Sequence, residues 1–316
     1  MQNAPEVRIT GSGLVTSLGA SRKATLAAMN AGERVRGEPF SFLADTPYSG
    51  CLAAQMQEPD LSRYIADRRM RKFMSRHAEL AAVAAREALE EAALPARGIA
   101  PERIGLYAGV GLAAVDVAVS SKLLRASLDE DGAFSLNRFS RDGLRTIHPL
   151  WSFHTLANMP ACIVSVLEGI KGDNGIYTPW EDQTAFALLE AAHALHEGAI
   201  DAAVVVASDT PSHPASMVEI ASSGFIAPGE IVAPGAACLV LERSDTSAPQ
   251  RPFSRLSNLR LVALAKEDAP PDDPLAPIIG RTFAAAPLLL VILAPLLGLP
   301  FCLHGCGGHH FSFEMA

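Results

Sequence analysis

Two hydrophobic periods alternate along this chain, and together they predict an α/β fold. Val7 to Val15 (VRITGSGLV) is a β-branched run with a glycine turn and reads as a buried strand. Arg63 to Leu94 carries a helical repeat. Its second half, HAELAAVAAREALEEAAL from His77, presents an Ala/Leu stripe wide enough to be packed on both sides. Arg103 to Val110, Ile200 to Ser208 and Ala236 to Glu242 are short apolar runs that predict further buried strands, whereas Leu156 to Gly169 and the stretch leading to Gly198 return to the helical period. Two segments rich in Pro, Asp and Ser, Arg243 to Ser254 and Lys266 to Pro277, flank one more strand candidate, Leu259 to Leu264. Strands alternating with helices predict a mainly parallel or mixed sheet with helices on its faces. Residues 1–242 carry a complete set of elements and residues 243–316 an abbreviated one, the two expected to form one compact domain.

Composition narrows the class. The chain has 316 residues, 49% of them apolar and 19% charged, which excludes disorder and bounds the answer to one large domain or two small ones. A net charge of −8 argues against general nucleic-acid binding. Five cysteines, Cys51, Cys162, Cys238, Cys302 and Cys306, are an odd number spread over a long chain, which predicts a reducing, cytoplasmic setting and no disulfide framework. The opening MQNAPEVRITGSG has no basic stretch followed by an apolar core, so no signal peptide is expected. Thr282 to Leu303 carries no charge and is long enough to span a bilayer, but Pro287, Pro295, Pro300 and Gly298 interrupt it. A buried helix at about Ala284 to Leu293, then a turn and a strand, is expected there in place of a membrane span.

Several constellations of reactive residue types stand out, each with a structural alternative. Gly109-Val110-Gly111-Leu112-Ala113-Ala114 fits a loose dinucleotide fingerprint, but small residues at a strand end also permit close packing. Cys302, His304, Cys306, His309 and His310 are dense in zinc ligands, whereas the paired glycines between them suit a tight turn. Ser208, Asp209 and His213 contain the residue types of an activated serine, yet within six residues at one strand end they are better placed to cap backbone groups. Thr178-Pro179-Trp180-Glu181 matches a capping box, with Pro179 at the first helical position, Glu181 reaching back to the Thr178 N–H, and Asp182 adding a second carboxylate at the positive end of the helix dipole.

Beyond these local readings, the chain resembles the β-ketoacyl synthases, condensing enzymes of the thiolase fold. RITGSGLVTSLGA is similar to the family's opening strand and turn, DRRMRKFMSRHAELAAVAAREALEEAA to its long early helix, and HPLWSFHTLANMPACIVSVLEGIKGDN to the segment before its nucleophile. GAIDAAVVVASD and CLVLERS continue the likeness, GRTFAAAPLLLVILA resembles the family's G-H-x-x-G-A-A-G helix, and HGCGGHHFSFE its closing glycine-rich turn and strand. The resemblance implies a layered αβαβα architecture with a shortened C-terminal half.

It also implies a loss of chemistry. The family needs a cysteine at the start of a buried helix, where the dipole and backbone amides favour a thiolate and hold an oxyanion, together with two histidines that decarboxylate the malonyl unit. Counting back from Gly198, the nucleophile position falls on Glu181, and the second histidine's position, after Gly280, is Arg281. The lysine expected five residues earlier is Ala276, and the H-G-T-G-T segment of the first histidine is absent between Leu264 and Pro277. The resemblance therefore points to a non-condensing subunit of the chain length factor kind, in a shortened form like those of polyene-type type II polyketide systems. Such a subunit pairs with an active β-ketoacyl synthase, shapes its acyl tunnel and meets an acyl carrier protein, with no cofactor or metal. Trp180, Phe186, Cys306 and the Asn158 to Val166 helix are expected to wall the pocket. Arg68, Arg69, Arg71, Lys72 and Arg76 lie where relatives present basic residues to the carrier, although a solvated helix face accounts for them equally well. Ile200 to Ser208 is expected to pair across the dimer interface. Two alternatives remain: a malonyl-carrier decarboxylase using Glu181, and a structural zinc site at Cys302 and Cys306.

Overall fold

In the computed structural model, which describes residues 2–112, 116–244, 255–264 and 272–316, the VRITGSGLV run is strand β1, Val7–Val15, at the middle of a nine-stranded sheet. The other principal strands are β2 (Ile104–Val110), β3 (Asn174–Tyr177), β4 (Ala202–Asp209), β5 (Gly235–Arg243), β6 (Arg255–Ala263), β7 (Cys302–His304) and β8 (His309–Met315). They lie in the order β7-β8-β6-β1-β5-β4-β2-β3, with Gln2–Asn3 added beside β6. β2 runs parallel to β3 and β4, and the other neighbours are antiparallel, so the sheet is mixed as the pattern predicts.

Alternation along β4 explains the layering. Ala202, Val204 and Val206 face a core shared with helices α1 (Arg76–Ala92) and α2 (Met159–Glu168), while Ala203, Val205 and Ala207 face a second core. The second core holds α3 (Glu181–His196) and α4 (Ala286–Leu297), and α3 touches β2 and β4 on one side and β6 and β8 on the other. The two inner helices are therefore sandwiched between the halves of one curled sheet. Residues 255–264 and 272–316 complete that sheet and pack into the same core as α3. The outward side of β6 is open to solvent at Arg255, Asn258 and Arg260.

Close packing of α1 on β1 depends on two glycines. A Cβ at Gly11 or Gly13 would lie 2.1 Å from the carbonyl oxygen of Ala88 or Ala84 on α1, so no side chain fits there without moving the helix. The helix itself is shorter than its periodicity suggests. Ser75 Oγ accepts the Ala78 N–H and starts it at Arg76, whereas Leu61–Tyr64 is a single turn and Met70–Phe73 a 3-10 turn. Between those turns the Asp67 carboxylate takes the Arg69 N–H and closes a local turn that competes with helix.

The charge-free stretch from Thr282 becomes a turn at Phe283–Ala285, the buried helix α4 and then β7, and Gly298 ends the helix in a left-handed conformation at φ 65°. Pro287 sits in the first turn, where no donor is lost, and Pro295 falls within the last turn without stopping the helix. Among the described residues no helix is long and apolar enough to cross a membrane. The expected dimer strand is placed differently. β4 is hydrogen-bonded to β2 on one side and β5 on the other, so it has no free edge, and its apolar run from Ala202 to Ala207 reflects burial on both faces. The open edge on that side of the sheet is β3, which pairs only with β2 among the described residues.

Candidate functional site

α3 does not begin with the capping box. Its N-cap is Trp180, which makes no side-chain cap, and Glu181 is the first helical residue, so Pro179 and Thr178 lie before the helix. Glu181 turns inward and is 1% exposed. Its Oε1 accepts from Nη2 of Arg281 at 3.1 Å, and its Oε2 accepts the Cys306 N–H at 3.1 Å. A buried cation one hundred residues away outcompetes a local backbone donor, because an ion left unpaired at such depth costs several kcal/mol.

Arg281, also 1% exposed, gathers the rest of the network. Desolvation works against its charge, but the surrounding acids, Glu181 foremost, more than restore it. Its Nη2 also reaches the Cys306 sulfur at 3.5 Å, its Nη1 lies 3.6 Å from Glu230, and its guanidinium stacks 5.0 Å from the centre of the Phe283 ring. Asp273 is buried nearby, and desolvation pushes its pKa up to about 7 despite the pull of Arg281. Burial, and then Glu181, push the Cys306 thiol well up, the reverse of what an activated nucleophile requires.

The glycine-rich turn closes over the helix start. Asp182 Oδ2 is 2.9 Å from His309 Nδ1, and a Cβ at Gly307 would fall 1.8 Å from that same oxygen, so the chain can pass only as glycine. Behind the site, Phe283 adopts φ 40°, a left-handed strain of about 1–3 kcal/mol. Ala284 holds it in place: its N–H donates to Asp209 Oδ2 at 3.1 Å, and its carbonyl accepts from Thr184 Oγ1 at 2.6 Å.

These contacts resolve several sequence constellations as structural. Asp209 anchors the Phe283 turn, His213 Nδ1 accepts the Ala215 N–H at the start of the helix Pro214–Ser222, and His77 lies between the Ser208 carbonyl and the Thr210 hydroxyl. Gly109 and Gly111 would place a Cβ within 1.8 Å of Thr184 and 2.0 Å of Asp209, so this pair serves close packing; Ala113 and Ala114 lie outside the described residues. Cys306 turns toward Glu181 while Cys302 stands on β7 opposite Ser312, and among the described residues no three His, Cys, Asp or Glu side chains converge as a metal site. All five cysteines are unpaired.

Of the other expected site residues, Trp180 packs edge-on against Phe225, with ring centres 5.0 Å apart, and Phe186 packs against His309 at 5.6 Å. Arg68 to Lys72 lie in loop and 3-10 turn, not on a helix face, and Arg76 opens α1. Arg68 and Lys72 are exposed and Arg71 is half-buried, while Arg69 pairs with Asp67 and Arg76 with Glu58 and Glu79. Above it opens a cavity of about 720 Å³, walled by Val117, Val119, Ile147 and Trp151 with His148 and His213 among its polar groups. It is lined by residues other than Trp180, Phe186 and Cys306. Glu230 and Asp273 join the charge network without any local sequence signal, and His309, which the sequence groups with possible zinc ligands, instead pairs with Asp182 across the fold.

Comparison with known proteins follows the same lines. A family model described as "Beta-ketoacyl synthase, N-terminal domain" matches residues 5–246. A 3-oxoacyl-[acyl-carrier-protein] synthase 2 of Staphylococcus aureus is 27% identical over 228 residues, 72% of this chain and 50% of the relative, so the chain spans about half the length of the curated relatives it matches. The solved ishigamide ketosynthase/chain length factor superposes with a TM-score of 0.70 at 15% identity, covering 98% of this chain and 99% of its own. A type II polyketide ketosynthase in complex with its acyl-carrier protein gives a TM-score of 0.63 at 17% identity, over 82% of this chain and 69% of that one.

Proposed function

This chain belongs to the β-ketoacyl synthase family, and on that premise we propose that it is a non-condensing subunit of the chain length factor kind, paired with an active ketosynthase in polyketide or fatty-acid-like biosynthesis. One observation carries the reading. The two positions that the resemblance assigns to the nucleophile and to a catalytic histidine are Glu181 and Arg281, and they are bound to each other as a buried ion pair at 3.1 Å. Each replacement alone would leave an unpaired buried charge; together they form a stable plug where an acyl-enzyme would otherwise form. Both carboxylate oxygens of Glu181 are engaged, so the residue offers neither a nucleophile nor a donor to an enolate. That geometry weighs against the decarboxylase alternative.

Features of the surface support a partner. The open edge of β3 presents unpaired backbone groups, and Ile176 on that strand, Val166 on α2 and Leu156 ahead of α2 are exposed apolar side chains. An open strand edge beside apolar side chains is a template for pairing with another chain. In this reading the 720 Å³ cavity adds chamber volume for the growing chain, while Trp180, Phe186 and Cys306 pack around the Glu181–Arg281 plug away from that cavity. Arg68, Arg71 and Lys72 contribute to carrier docking.

Co-expression with an active ketosynthase encoded in the same gene neighbourhood tests the proposal. A one-to-one complex by light scattering after size exclusion is expected. A stable monomer that never captures such a partner would refute it.

A further inference from the structure

Arg281 is satisfied on one side only. Nη2 donates to Glu181 and Cys306, while Nε is buried without a partner among the described residues. Nη1 makes no hydrogen bond among the described residues, and Glu230 lies 3.6 Å from it, beyond the 2.7–3.2 Å of an N–H···O hydrogen bond. The unmade Nε costs free energy at this depth, and Nη1, held at ion-pair distance only, gains a hydrogen bond from any acceptor brought closer.

Glu230 stands between this guanidinium and solvent. Its side chain is 30% exposed and lines a separate cleft of about 240 Å³, together with Tyr48, Cys51, Ile226 and Pro228. Its Oε2 accepts the Ala227 N–H, which leaves Oε1 loosely turned to Arg281. We propose that Nη1 of Arg281 is a binding point for the carboxylate of a short aliphatic monocarboxylic acid entering through this cleft, with Glu230 as the built-in occupant that such an acid displaces.

Three observations define the ligand class. Arg281 is already faced by Glu181, Glu230 and Asp273, so an incoming monoanion that replaces Glu230 one for one leaves the charge count unchanged, whereas a dianion adds a repulsive charge. The cleft is smaller than the roughly 300–1,000 Å³ of sites for drug-sized ligands, which limits the occupant to a few carbons. Its rim is apolar at Ile226 and Pro228 and aromatic at Tyr48, which suits an alkyl tail. The inference rests on the Arg281 geometry alone and stands whether or not a ketosynthase partner is captured.

Butyrate is the probe, with its uncharged isostere butyramide and equal ionic strength of chloride as controls, in ligand-observed NMR titrations of the full chain. Saturable butyrate binding is expected, tightened roughly tenfold in Glu230→Gln, which keeps an acceptor for Ala227 N–H but removes the competing charge. Binding should vanish in the paired variant Glu181→Gln/Arg281→Met, which removes both buried charges and so does not strand either one. Absence of saturable binding in Glu230→Gln, equal binding of butyramide, an effect reproduced by chloride, or retention in the paired variant would each overturn the proposal.

Discussion

Replacing Arg281 by Met deletes a guanidinium 3.1 Å from a carboxylate, both side chains 1% exposed. At an effective dielectric of about 20 the lost attraction is about 5 kcal/mol, and it leaves Glu181 with the Cys306 N–H and the start of α3 as its remaining stabilisation. A net loss of roughly 3–5 kcal/mol is expected, the range for breaking one partner of a buried pair. Glu181→Gln leaves the cation instead; it retains some acidic company from Glu230 and Asp273, so its loss is expected to be smaller. Glu181→Gln/Arg281→Met removes both charges and should recover most of the stability, to within about 1–2 kcal/mol of the parent. The assay is urea unfolding of all four proteins followed by far-UV circular dichroism, closed as a double-mutant cycle. A coupling of several kcal/mol supports two substitutions acting as one unit. Single losses below about 0.5 kcal/mol that simply add would refute the reasoning, since that is the behaviour of unrelated surface sites.

Other consequences follow from the same contacts. Glu181→Cys should not produce condensation, because the thiol would face Arg281 where the family has an imidazole; a malonyl-dependent elongation assay on the variant checks this, and product formation would contradict it. His77, buried and held by burial at a pKa of about 4, is neutral in the folded state. Stability should therefore be fully present above about pH 6.5 and fall toward pH 4 as the unfolded chain takes up the proton, by roughly 3 kcal/mol in all, and His77→Gln should flatten that limb. Asp273 has the opposite sign. With its pKa raised to about 7, it makes stability fall as pH rises from about 4 to 7, and Asp273→Asn should remove that slope. Arg68→Glu with Lys72→Glu should weaken capture of an acidic carrier protein most strongly at low salt, where screening is least.

Much of the scaffold was legible because its causes are local. Val7–Val15 is a strand from its β-branched content alone, and α4 is a helix between proline and glycine signals that punctuate the chain where expected. The misreadings share a cause. The capping box at Thr178 obeys every local rule, but Glu181 answers to Arg281, which no window of neighbouring residues contains. The apolar run after Gly198 is read as an edge strand by analogy, yet only the pairing of β2 and β5 on either side reveals that it is interior. The helix predicted from Arg63 was lengthened by a periodicity that continues through turns, and Ser75 shows where it begins. Glu230, from between Glu181 and Arg281 in sequence, and His309, from beyond both, meet the site across the fold, their roles fixed by distance in space.

In the proposed function, the Glu181–Arg281 pair stands where an acyl-accepting centre would otherwise form. Intact-protein mass spectrometry of this chain mixed with an active ketosynthase, after incubation with an acyl-carrier thioester, tests this most directly. An acyl mass increment is expected on the ketosynthase alone, with none on this chain even at Cys306. An acyl adduct on this chain would contradict it.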